Sequence, residues 1–125
     1  MSGETQLAVR QSLLTELFTG NATLLTERLG ACGELVVPDG DFIAAVSQEL
    51  FDSFPGATAN PYNNSICGRS VDIFANINGL SITVTIVDSC PTCTNEGNLE
   101  LSSAAFEALG SFDVGRIDGI IWGFD

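Results

Sequence analysis

Residues 70–88, "SVDIFANINGLSITVTIVD", constrain the fold more than any other part of the chain. Two runs rich in β-branched residues flank Asn78-Gly79, the dipeptide that best tolerates the positive φ angles of a tight turn, so the segment predicts an antiparallel hairpin. In the second run a period of two puts Ile82, Val84, Ile86 and Asp88 on one face and Thr83, Thr85 and Val87 on the other. On this pattern Asp88 extends a core-facing apolar row. Cys90 and Cys93 follow at once, which raises the question of whether "DSCPTC" is a redox motif, a metal clip or a scaffold around one acid.

The remaining segments are consistent with a small β-rich domain. Residues 5–18 carry Leu13, Leu14, Leu17 and Phe18 at near-helical spacing, which predicts an amphipathic helical arm packed on the domain and closed by Gly20. It carries no lysine and a single arginine, Arg10, too few basic residues for a membrane-surface helix. "DFIAAVSQELFDSF" at 41–54 reads either as a helix or as a buried strand followed by a short helical turn capped by Ser47. "FPGATANPYNNS" at 54–65 is a loop by its Pro, Gly and Asn content. Further on, Ser102 caps a helix with Phe106 and Leu109 on its inner face and Gly110 as its stop, and "GRIDGIIWGF" reads as a terminal strand. Many short strands with few helices predict a small all-β barrel.

Composition removes several functions. A chain of 125 residues with 45% hydrophobic content suits one domain. Sixteen acidic residues stand against four arginines, giving a net charge of −12 that repels nucleic acid and anionic membranes and favours cationic or neutral partners. No histidine is present, so imidazole-based serine and cysteine triads are excluded and the commonest metal ligand is missing. No metal or cofactor is expected. No apolar run approaches the roughly 18 residues of a membrane span. Arg10, Gln11, Ser12 and Glu16 interrupt any signal-like apolar stretch, so a secreted form is expected to have already lost its signal peptide.

Four cysteines, Cys32, Cys67, Cys90 and Cys93, leave three readings open. Redox catalysis needs a thiol at a helix N-terminus, whereas the nearest helical pattern starts well beyond Cys93 and the surroundings are acidic. A structural zinc site usually comes as two close pairs, and only Cys90 and Cys93 are close. Two structural disulfides in an oxidising compartment fit best, with the pairing undetermined by the residues alone.

Taken in order, "GNAT" at 20–23, "LGACG" at 29–33, "ICGRSV" at 66–71, "TVTIVDSCPTC" at 83–93, "NLELSSAAFEALG" at 98–110 and "GRIDGIIW" at 115–122 resemble the double-psi β-barrel of fungal expansin-like proteins, a group that includes loosenins, barwin-like and rare-lipoprotein-A-like domains. The resemblance implies a six-stranded barrel with a few short helices over residues 20–125, preceded by the arm at 1–19. It implies a secreted protein that holds cell-wall polysaccharide (glucan, chitin or chitosan) in a groove and loosens it without hydrolysis. It also implies the pairs Cys32 with Cys67 and Cys90 with Cys93, so that the close thiols staple the loop beside Asp88.

By the same resemblance the groove acid essential to loosening falls on Asp88, a second acid on Glu100 and a groove threonine on Thr23. Leu24 and Leu25 stand where relatives carry an aromatic. An aspartate at a strand end also serves simply to accept backbone N–H bonds, and Glu100 suits the approach to a helix N-terminus. Family 45 glycoside hydrolases of similar architecture invert with two acids, and lytic transglycosylases of the rare-lipoprotein type pair an aspartate with a histidine. Here the chain offers Asp88 without a clear base or any histidine, so a non-enzymatic role is expected. The alternative is a double-psi barrel that inhibits a cysteine protease, or acts as an effector on a partner protein.

Overall fold

The computed structural model describes residues 15–26, 28–33, 35–36, 41–57, 59–111 and 115–125, without the side chains of Arg28 and Leu35. Strands β1 (Phe18–Leu24), β4 (Ile43–Ser47), β5 (Ser70–Ala75), β6 (Ser81–Cys90), β7 (Leu99–Leu101) and β8 (Ile117–Phe124) close a barrel in the order β1-β7-β4-β6-β5-β8. The short strands β2 (Arg28–Leu29) and β3 (Leu35–Val36) form a separate antiparallel pair. Helices α1 (Gln48–Ser53) and α2 (Ser103–Leu109) and a short 3-10 turn, Pro61–Asn63, complete the described elements. The expected all-β six-stranded barrel with short helices is therefore present.

Two pairings in the barrel, β1 with β7 and β4 with β6, are parallel, and the other four are antiparallel. Parallel neighbours need crossover connections rather than tight turns. One runs from β4 through α1, and the loop after it, to the β5–β6 hairpin. In that hairpin Phe74 pairs with Ser81 and Val71 with Val84, as the alternation predicts. Only Gly79 of the turn takes a positive φ, at 75°, so the link is longer than the two-residue turn that Asn-Gly suggests.

The two ambiguous signals resolve simply. The stretch at 41–54 is strand then helix: Ser47 ends β4, and its Oγ accepts the Leu50 N–H at 3.2 Å. The Ser102 Oγ caps α2 in the same way, and Phe106 and Leu109 are wholly buried. Side chains of the barrel interior pack with Leu50, Phe51 and Phe54 into one core. At one end Trp122 stacks on Phe18 with ring centroids 4.5 Å apart, and its indole N–H donates to the Gly97 carbonyl at 2.8 Å.

The predicted arm lies mostly outside the described residues, and its last part is corrected. Phe18 and Thr19 belong to β1, and Phe18 pairs with Trp122 across the barrel seam. Gly20 does not stop a helix. It lies inside β1, where a Cβ would meet the Asn98 side chain and the Gly97 backbone at about 2.5 Å, so the strand tolerates no side chain there.

Candidate functional site

The site begins with an irregularity in β6. Along β4 and β6 the pairing steps from Ala44 with Ile86 directly to Ala45 with Asp88, leaving Val87 without a partner. Paired residues on neighbouring strands share a face, and a bulge of this kind shifts every following side chain by one position. Ala44 and Ile86 lie in the barrel core, whereas Ala45, Val87 and Cys90 gather in a second apolar cluster with Leu25 and Val36. The strict alternation that carried Asp88 onto the core row is thus broken, and its side chain leaves the barrel interior.

Once turned outward, Asp88 joins a row that crosses four strands. Ala45 pairs with Asp88 on one side and with Glu100 on the other, and Glu100 pairs with Thr23 of β1. Leu99 and Leu101 are wholly buried in the core, so the three-residue strand β7 turns Glu100 outward. One strand, β4, separates the backbones of Asp88 and Glu100, a gap of about 10 Å at ordinary strand spacing. The small side chain of Ala45 lies between the two acids. The topology therefore brings all three residues singled out by resemblance into a single row.

Asp88 is held firmly. Only 4% of it is exposed, and its Oδ1 accepts the Ala31 N–H at 2.7 Å and the Ser89 N–H at 2.8 Å. Asp88 thus satisfies two backbone donors at a strand end, as the plain structural reading of this acid expects. Two disulfides flank it. Cys32 bonds to Cys67 and ties down the loop that supplies Ala31, while Cys90 bonds to Cys93 and closes the loop directly after β6. The expected pairing is the one found.

Asp88 and Glu100 line a cleft of about 520 Å³ together with Thr26, Leu29, Ala31, Ser89, Pro91 and Thr92. Among the described residues its walls carry two acids and no basic side chain, so it offers acceptors to hydroxyl or ammonium donors. Thr23 extends the row at the far side of Glu100 but does not line the cleft. Sequence reasoning missed the wall residues. Pro91 and Thr92 could have been found from their place inside the Cys90–Cys93 loop, whereas nothing local marks Thr26, Leu29 or Ala31. Two other hollows, one of about 560 Å³ beside Ile77 and Arg116 and one of about 260 Å³ over Gly123, contain none of the three predicted residues.

The closed six-stranded barrel with two parallel pairs places the chain in the double-psi β-barrel class, together with its structural neighbours. No family model matches the chain. It is 39% identical over 110 residues to a papain inhibitor from Streptomyces mobaraensis, covering 85% of this chain and 70% of that protein. The solved structure of a Streptomyces papain inhibitor superimposes with a TM-score of 0.77 over 89% of this chain and 96% of that one. The chain therefore belongs to the family of this inhibitor, whose members and neighbours include expansin-like proteins. A point variant of Clavibacter michiganensis expansin in complex with cellohexaose is 28% identical with a TM-score of 0.66, over 88% of this chain and 50% of that chain. Expansin-like protein 1 of Dictyostelium discoideum is 29% identical over 111 residues, and the chain spans 35% of its length.

Proposed function

We propose that this protein acts outside the cell, binding a polysaccharide chain in the Asp88 and Glu100 cleft and loosening its packing without cutting it. The observation that carries the reading is the row itself: two carboxyl side chains, set on either side of Ala45, open into one cleft built by fixed loops. Carboxylate oxygens accept hydrogen bonds from sugar hydroxyls, and a rigid pair of acceptors competes with the chain-to-chain bonds that pack a glucan. Thr23 would hold the chain where the row leaves the cleft. The similar Clavibacter expansin bound to cellohexaose supports a glycan as the ligand class. Two disulfides support an oxidising, extracellular setting.

Retention on cellulose, chitin and chitosan is the direct test, with Asp88→Asn alongside. The Asn side chain keeps an acceptor for the Ala31 and Ser89 N–H groups, so the fold is retained, while affinity falls about tenfold or more. Equal retention of both proteins would remove Asp88 from the site. Release of reducing sugar from soluble glucan would instead make the protein a hydrolase working with Asp88 and Glu100 alone.

A second reading, inhibition of a papain-like cysteine protease, is favoured by the identity to the papain inhibitor and by the coverage of nearly that whole chain. Here the loops of the barrel would wedge against the protease. Titration of papain activity with the purified protein distinguishes the two, because the cleft reading predicts no loss of papain activity.

A further inference from the structure

We infer that Tyr62 is the sugar-stacking platform of this protein, set beside the cleft by the loop that the Cys32–Cys67 disulfide ties down; the inference rests on the polysaccharide reading above. Tyr62 is 53% exposed, at the centre of the 3-10 turn Pro61–Asn63. Tyrosine joins an apolar ring to a polar tip, and the C–H faces of a sugar ring match the exposed part of that ring.

Position supports the assignment. The ring lies against Gly33, close enough that a Cβ there would come within 3.3 Å of it. Gly33 takes a φ of +91°, and its N–H closes a turn onto the Gly30 carbonyl at 3.0 Å. Two residues back in that turn stands Ala31, which lines the cleft and donates its N–H to Asp88. Two residues of backbone span at most about 7 Å, so the ring follows on directly from the cleft wall, within the reach of a short oligosaccharide.

Rigidity supports it as well. The Tyr62 N–H donates to the Asn60 Oδ1 at 3.1 Å. Just after it the buried Asn64 side chain donates to the Phe51 carbonyl at 2.7 Å and accepts the Ile66 N–H at 3.0 Å. Cys67 then bonds to Cys32, the residue between Ala31 and Gly33. The disulfide thereby fixes the spacing between the ring and Asp88, and a platform ordered in advance loses little entropy when a ligand binds.

Tyr62 is the only tyrosine of the chain, so its ring signals in an NMR spectrum are unambiguous. On titration with cellohexaose or chitohexaose those signals are expected to shift with ligand. Tyr62→Ala is expected to lower affinity about tenfold, and Tyr62→Phe, which keeps the ring, to restore most of it. If the native protein binds an oligosaccharide while the ring signals stay still, or Tyr62→Ala binds equally, the inference is overturned and the cleft reading stands. Equal loss in Tyr62→Phe and Tyr62→Ala also overturns it, since the hydroxyl and not the ring would then matter. Binding of neither oligosaccharide by the native protein overturns the polysaccharide reading and this inference together.

Discussion

Strand β6 is two strands in one. Its first part, paired antiparallel with β5, alternates without a fault: Ile82, Val84 and Ile86 face the core, with Ser81 and Thr83 exposed. Its last part, parallel to β4, slips by one residue at Val87 and then carries Asp88 and the Cys90–Cys93 loop. The regular half builds the barrel, and the irregular half builds the cleft. Energy follows the same division, because the regular half feeds the large barrel core, while the cleft side has only a small apolar cluster and depends on hydrogen bonds and covalent ties.

The largest effect is expected from breaking the regular half. Trp122 packs on Phe18 and Phe124 and anchors the Gly97 carbonyl, so Trp122→Ala removes an aromatic stack and leaves a buried acceptor unpaired. A loss of about 3–5 kcal/mol in chemical denaturation is expected. Affinity for glycan per folded molecule should stay unchanged, since neither Trp122 nor its partners Phe18, Phe124 and Gly97 line the cleft. A large change in affinity at temperatures where the variant is folded would show that the two halves are coupled.

Next comes the tie between the loops. Cys32→Ser with Cys67→Ser opens a loop with a sequence separation of 35, for which loop entropy predicts a loss of about 3–4 kcal/mol. Unlike Trp122→Ala, this change is expected to weaken glycan binding as well, because it frees the segment that holds Ala31 over Asp88. Opening the Cys90–Cys93 bond, with a separation of 3, is expected to cost only about 2 kcal/mol. Its effect on binding should exceed its effect on stability, because Pro91 and Thr92 are cleft walls. Calorimetric stability measured beside cellohexaose titration checks both.

This division also explains what could be read from the residues alone. The two hairpin strands, the Ser102 cap, the inner face of α2 and the terminal strand follow local rules that the neighbouring sequence states, whereas the Ser47 cap is one of two readings that 41–54 allows. Asp88, Glu100 and Thr23 were reached through resemblance, and strict alternation put Asp88 on the wrong face. A bulge is a property of the pairing between two strands, and neither Val87 nor Ala45 announces it. Gly20 misled for a similar reason: its meaning is a close approach to Gly97 and Asn98, far away in sequence. Thr26, Leu29 and Ala31 enter the cleft only because the segment after β1 reaches the end of β6, where the Ala31 N–H donates to Asp88, a contact without any local pattern.

The smallest predicted effect lies in the loop that joins the two halves. Glu96 sits beside Gly97, the acceptor of the Trp122 indole, in the connection between β6 and β7. Partial burial, and then the negative charges of Glu16 and Glu49, push its carboxyl above the ordinary value of 4.5. A folded state that binds the proton more tightly than the unfolded chain is penalised wherever both are ionised, so the penalty is fully present at neutral pH. It shrinks as pH falls through the raised folded value and is gone below 4.5. Glu96→Gln is therefore expected to raise the melting temperature slightly at pH 7, with the gain vanishing toward pH 4. Added salt should shrink the part of the gain that comes from Glu16 and Glu49. A gain that grows as the solution is acidified would mean instead that the loop carboxylate stabilises the fold.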